Sequence, residues 1–383
     1  LTPDLQWGAA DNADSYTVEV ATRATFGVAD VLSQVVSAST TDLTLPASTL
    51  TAGIIYYWRV TAANAAGSTV ATGAPYRFAS PYVVAGAHGV GVTPDGTKLV
   101  VASDVNGGPI DVIDLATHTL AASIATGVPS QPMGVAVSPD GTQAVATLLT
   151  NGTGGVNGVA VIDLTTNTLA GTISDPCVAT TLSDVAYLPA GGTAVLPDLS
   201  AGCTAMGLST FATNVATPNF GFVNFSDTND PWGVAVSPDG SFALVTMELD
   251  SFLYKVTFPS AVSHLSLPST SGGVAITPDG TKAVVASANI EVISLADNSM
   301  TSISLVDDTP GSDFHNVAIT PDGSEAVVVG SSSVQVISLT SQSVLSSYPD
   351  PAGGETSVAL SPDGTTAFVT DEANGWVRVL QIP

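Results

Sequence analysis

The sequence predicts an all-β protein: a β-sandwich over residues 1–80, then a seven-bladed β-propeller of four-stranded blades over residues 81–383. Three observations predict it. Val, Ala, Thr, Ser and Gly make up most of the chain, and β-branched residues fit a pleated surface while Gly fits tight turns. Only seven Lys and Arg occur in 383 residues, too few for long solvated helices. One short phrase, as in "GVAVSPDGTQAVATL" from Gly134, returns repeatedly after residue 80.

A charge step marks the boundary near Ser80-Pro81. The first eighty residues hold three of the seven basic residues (Arg23, Arg59, Arg77) and six of the 33 acids, which leaves four basic residues and 27 acids for the rest. Six strands are read in this segment: "PDLQW", "SYTVEVAT", "DVLSQVVS", "TDLTLP", "IIYYWRVTAAN" and "APYRFAS". Alternation is clear in "YTVEVAT" and "YYWRVTA", and it places Trp7, Tyr16, Leu45, Leu50, Tyr57 and Val60 in one interior. Trp7, "SYTVEV", Leu50 and "YYWRVTAANAAG" (56–67) together resemble a fibronectin type III domain. Such sandwiches usually have about seven strands, and the first has no counterpart here: the chain starts at what would be the second. The expectation is an edge open to a strand from a neighbour.

After the boundary the turn phrase recurs at Pro94-Asp95-Gly96, Pro139-Asp140-Gly141, Pro238-Asp239-Gly240, Pro278-Asp279-Gly280, Pro321-Asp322-Gly323 and Pro362-Asp363-Gly364. A degenerate copy, Pro189-Ala190-Gly191-Gly192, fills the gap, so seven copies are spaced by 45, 50, 49, 40, 43 and 41 residues. Each turn follows an apolar strand such as "GVAVS" and precedes another such as "KAVVAS". A third strand, as in "VAVIDLTTNT", and a fourth, as in "LAGTIS", complete most units. Four strands in a unit of this length is the period of a propeller blade. Residues 82–383 resemble the YVTN-type propellers of bacterial and archaeal surface proteins in this wording. The last unit ends after its third strand, "GWVRVLQIP", so "SPYVVAG" (80–86) is expected to supply the fourth and close the ring. The repeated acid is turn chemistry. Pro fixes φ, Asp bonds to backbone two residues on, and Gly accepts positive φ.

The net charge of −26 repels nucleic acid and anionic lipid, so neither is expected as a partner, and no apolar run is long enough to insert in a membrane. Leu1 is not an initiator Met, so the chain is read as processed or as a segment of something longer. The two cysteines, Cys177 and Cys203, fall just before the inner strand of the third blade and in that blade's next loop on the same face. A disulfide between them is expected, buried free thiols being the alternative.

Ligands of propellers usually meet one face, where inner strands begin and second strands pass to third. Asp104, Glu248, Asp250, Asp371 and Glu372 lie in the second-to-third loops and are the candidate metal ligands. Carboxylates ringed on one face suit Ca²⁺, which takes about six to eight oxygens. No contiguous Asp-x-Asp-x-Asp-Gly loop occurs, and solvated loop acids are the plain alternative. No cofactor is otherwise required. Trp232, His88, Phe314, His315 and Trp376 are the candidate ligand or partner contacts, with aromatic platforms for a glycan or peptide. Packing between blades is the alternative for Trp232. No catalytic motif is recognised: Gly-x-Ser-x-Gly and His-Glu-x-x-His are absent, and the propeller's four cations, Lys98, Lys255, Lys282 and Arg378, are few for gripping a phosphorylated sugar.

The expected function is structural or adhesive, as a secreted subunit of a prokaryotic surface layer, filament or adhesin. It would act on other copies or other surface proteins by strand addition to the sandwich edge. The alternatives are a secreted hydrolase or lyase, or a carbohydrate- or peptide-binding module on the loop face.

Overall fold

The computed structural model describes residues 3–26, 30–46, 48–150, 157–174, 184–199, 206–217, 219–225, 230–305, 316–330, 332–349 and 353–383. Every regular element among the described residues is a β-strand. The chain divides into two compact units, Leu1–Tyr82 and Val83–Pro383.

The first unit contains β1 (Asp4–Gln6), β2 (Ser15–Ala21), β3 (Asp30–Ser37), β4 (Asp42–Thr44), β5 (Ile55–Asn64), β6 (Gly67–Val70) and β7 (Tyr76–Ala79). β1 and β4 pair as a two-stranded sheet; the other sheet runs β3-β2-β5-β6, with β7 also on β5. Alternation in β2 and β5 sends Tyr16, Val18, Val20, Tyr56 and Val60 inward, where they pack with Leu5 and Leu45, and Trp7 and Leu50 close over them. Tyr57 does not join this core. It sits one residue from the inward parity of Tyr56 and Val60, so the pleat turns it to the outer face, where its neighbour Arg59 pairs across the strands with Glu19 at 2.6 Å. The strand not anticipated is β6, "GSTV", whose four residues are all exposed and carry no alternation.

The second unit is a propeller of seven four-stranded sheets. Blades are numbered in chain order. Their inner strands are Ala87–Val92, Gln131–Val137, Ala186–Tyr187, Pro231–Val236, Ser271–Ile276, Asn316–Ile319 and Glu355–Leu360. Each neighbours the next, and the last lies beside the first. The ring closes as the sequence suggests: β8 (Tyr82–Val83) takes the fourth place in the sheet of the last blade. Second strands such as KLVVAS and KAVVAS are continuous apolar runs, and they and the third strands are buried along most of their length because both faces are covered by adjacent blades. Between the first two blades, Val100, Ile110, Val112, Ala144, Leu148 and Ile162 form one such buried layer.

The Pro-Asp-Gly turns behave as read, with a further partner. Asp95 accepts the Thr97 N–H at 3.0 Å and the hydroxyl of Thr93, the residue before the Pro, at 2.6 Å. The Thr93 hydroxyl in turn accepts the Lys98 N–H at 2.9 Å. The same set recurs around Asp140, Asp239, Asp279, Asp322 and Asp363. Gly96 has φ 70°, which only Gly adopts without strain. These hydrogen bonds favour the ionised form. The Thr93 hydroxyl, then the Thr97 N–H, hold Asp95 below the usual carboxylate range, and Asp239 and Asp322 fall to about 2.

Candidate functional site

The seven inner strands converge at their starts on an axial cavity of about 180 Å³, lined by residues of every blade, among them His88, Gly134, Asp184, Trp232, Val274, Asn316 and Thr356. Local backbone structure explains why such different residues meet there. The inner strands carry a register shift at this point, as at Pro132/Val135, Pro231/Val234, Ser271/Val274 and Glu355/Val358. A bulge leaves an N–H without a ladder partner, and a threonine of the second strand supplies the acceptor. Thr147 Oγ1 accepts from Gly134 N at 2.8 Å, Thr246 Oγ1 from Gly233 N at 2.9 Å, and Thr370 Oγ1 from Ser357 N at 2.9 Å. Blades pack closely here. A Cβ on Gly89 would lie 2.0 Å from the Met133 carbonyl oxygen, and one on Gly273 2.7 Å from Asn316 Cα.

Asp184 occupies the position that is Gly in the first, second, fourth and fifth blades, and it brings a carboxyl into the cavity wall. Its Oδ2 accepts the Val234 N–H of the next blade at 3.0 Å, and its Oδ1 the N–H of Val185 at 2.9 Å. Asp184 is half-buried and lines the cavity. Burial dominates and pushes the carboxyl up to about 6, against the pull of the two N–H groups. Asp184 was not singled out from sequence. The available signal was an Asp where the aligned phrase "G-V-A-V" begins with Gly in other copies.

A second constellation adjoins the cavity. His88, on the inner strand of the first blade, Asp104, just after that blade's second strand, and Glu372, just after the second strand of the last blade, bring their donor atoms within 4.8 Å of one another. Backbone bonds set the two loops: Asp104 N to Gly86 O at 2.7 Å, and Glu372 N to Gly354 O at 2.8 Å. The His88 carbonyl accepts the hydroxyls of Thr356 at 3.0 Å and Thr370 at 2.5 Å, both from the last blade. Burial raises the Asp104 carboxyl above its usual range; burial and then the charge of Asp104 raise Glu372.

The remaining candidates lie elsewhere. Asp371 is fully buried and is used by its own loop, accepting the backbone and side-chain N–H groups of Asn374 at 3.0 and 2.8 Å. Glu248 and Asp250 lie in the loop after the second strand of the fourth blade, with Asp250 accepting the Ser251 N–H at 2.7 Å. Among the described residues, the three-member group of His88, Asp104 and Glu372 is the one convergent donor set. Trp232 lines the axial cavity; Trp376 begins the third strand of the last blade, opposite Asp371. Phe314, His315, Cys177 and Cys203 lie outside the described residues. All four propeller cations are engaged within the fold. Lys98 donates to the Leu164 carbonyl and to Asn167, Lys282 to the Leu339 carbonyl, Lys255 lies over the Phe242 ring, and Arg378 pairs with Glu355.

No protein-family model matches the chain, and no curated protein matches it in sequence. Among solved structures it is similar to Kuenenia stuttgartiensis hydrazine synthase, at 19% identity and a TM-score of 0.65, over 82% of this chain and 99% of that one. It is also similar to the β-propeller domain of Myceliophteria thermophila Cps50 (Swd1), at 10% identity and a TM-score of 0.65, over 79% of this chain and 99% of that one. These likenesses establish the β-propeller fold and carry no activity with them.

Proposed function

We propose that this protein is an extracellular structural or adhesive component of a prokaryotic cell surface, whose copies join by strand addition to the N-terminal sandwich. The observation that carries the reading is the groove beside β1. The β1–β4 sheet is two strands wide and faces a five-stranded one. Trp58, Val60, Val70 and Tyr76 of the wider sheet, and the chain leaving β1, with Trp7 and Gly8, line a groove of about 550 Å³ without a charged side chain. The Trp7 indole N–H is buried and has no acceptor among the described residues.

A two-stranded sheet is marginal in water, and its free edge presents unpaired N–H and C=O groups. An uncharged strand laid beside β1 would pair that edge and cover Trp58 and Tyr76, which is recognition by β-augmentation. A second copy carries a segment of this chemistry: the outermost strand of the third blade, Phe220–Asn224, exposes Phe220 by 41% and Phe222 by 44%. Joining unlike surfaces of successive copies builds an open filament. The likeness of the sandwich to fibronectin type III domains and of the repeats to YVTN-type surface propellers points the same way.

Electron microscopy of native, untagged material from the cell surface tests the reading, with sedimentation velocity of the purified chain beside it. Ordered polymers are expected, and Val70→Arg and Phe222→Asp, both at exposed positions, should each leave monomers. Monodisperse monomers from the native source, or polymers indifferent to both substitutions, would overturn it.

A further inference from the structure

We propose that His88, Asp104 and Glu372 form a divalent metal site that clasps the propeller ring shut, taking a borderline cation such as Zn²⁺ in preference to Ca²⁺. The placement argues for it first. His88 and Asp104 come from the first blade and Glu372 from the last, so their meeting point straddles the seam where the two ends of the repeat array join. An ion held by all three would tie the blades across that seam, beside the two threonine hydroxyls of the last blade that already hold the His88 carbonyl.

The donor chemistry argues for it second. One imidazole and two carboxylates is a set that Zn²⁺ accepts with a further position open to water, whereas Ca²⁺ seeks oxygen ligands alone. The donor atoms already lie within 4.8 Å of one another, and a zinc ion would draw each of them to a distance of about 2.0–2.2 Å. Third, the cluster holds two carboxyls with no Lys or Arg beside them, and the four propeller cations are engaged elsewhere. Asp104 Oδ1 is shut off from solvent and accepts no hydrogen bond among the described residues. Such a buried acceptor is costly to leave unused, and a cation coordinated there would satisfy it.

Chelator-treated protein titrated with ZnCl₂, and separately with CaCl₂, by isothermal calorimetry tests the site, with thermal melting in parallel. One equivalent of Zn²⁺ should bind and raise Tm, since a ligand of the folded state stabilises it by mass action. Ca²⁺ should bind far more weakly. His88→Ala, Asp104→Asn and Glu372→Gln should each weaken Zn²⁺ binding by about tenfold or more and remove the Tm rise. Glu372→Gln keeps the size of the side chain and the backbone bonds of its loop, so its far-UV circular dichroism should match the wild type. The exposed His264 serves as the control, and His264→Ala should change nothing. Absence of saturable Zn²⁺ binding, binding that survives all three substitutions, or binding lost with His264→Ala would each overturn the proposal. None of these outcomes depends on whether copies polymerise.

Discussion

Replacing Asp184 by Asn should abolish one component of the pH dependence of stability and leave another cost in its place. Burial raises the Asp184 carboxyl from 3.8 to about 6 in the folded protein. Between those two values the folded state binds a proton that the unfolded chain releases. The group's contribution is therefore fully present below 3.8 and is lost as pH rises through 6. A rise of this size corresponds to about 3 kcal/mol. Asn is neutral throughout, so the variant lacks that decline. Asn also has one oxygen where the carboxyl offers Oδ2 to Val234 and Oδ1 to Val185. One buried N–H then loses its acceptor, at a cost of about 1–3 kcal/mol at every pH. At pH 4 this loss stands alone, and the variant should be less stable than the wild type by that amount. Above pH 7 the two effects nearly offset, and the curves should meet or cross. Urea denaturation of both proteins from pH 4 to 8 reads the difference directly, and His88, the other titratable residue of the cavity wall, is common to both and drops out. Stability curves that stay parallel across this range would refute the account of a carboxyl held neutral by burial.

Three further outcomes are expected. Arg378→Met removes the cation beside Glu355, which is fully buried, and should cost about 3–5 kcal/mol; adding Glu355→Gln should recover much of the loss in the same denaturation assay. Gly89→Ala drives a Cβ into the Met133 carbonyl and should cost roughly 3 kcal/mol or more, whereas Gly8→Ala meets nothing within 4 Å and should stay within about 0.5 kcal/mol. The turn acids act with the opposite sign to Asp184. Their folded pKa values lie below the ordinary one, as with Asp239 and Asp322 at about 2, so their contribution is lost as pH falls from about 4 toward 2. Asp239→Asn should accordingly flatten the acid limb of the stability curve, read by melting between pH 2 and 5, without changing polymer formation.

Much of this architecture was legible in the sequence because its determinants are local. A Pro-Asp-Gly turn needs only its own residues and the hydroxyls on either side, and the four-strand unit needs only its alternating and continuous apolar runs. Recurrence then made the ring unavoidable, since a blade buries its faces only against other blades, and the unfinished last unit pointed to residues 80–86 for closure. Parity within a strand was the weaker guide: Tyr56 rather than Tyr57 enters the sandwich core, and "GSTV" forms a strand without any pattern to announce it.

The site was legible as a set of candidates and not as a selection from them. Five acids on one face looked equivalent along the chain. Tertiary structure separates them because Asp371 is consumed by Asn374 within its own loop, Glu248 and Asp250 sit on the fourth blade, and ring closure alone carries Glu372 to Asp104 and His88. Asp184 is ordinary as a residue and becomes a buried acid only because seven strands converge around it. Sequence determined what each blade is, since that rests on turns and apolar periods a few residues long; the closed ring decided which side chains share a dielectric and a distance, since those depend on neighbours far apart in the chain.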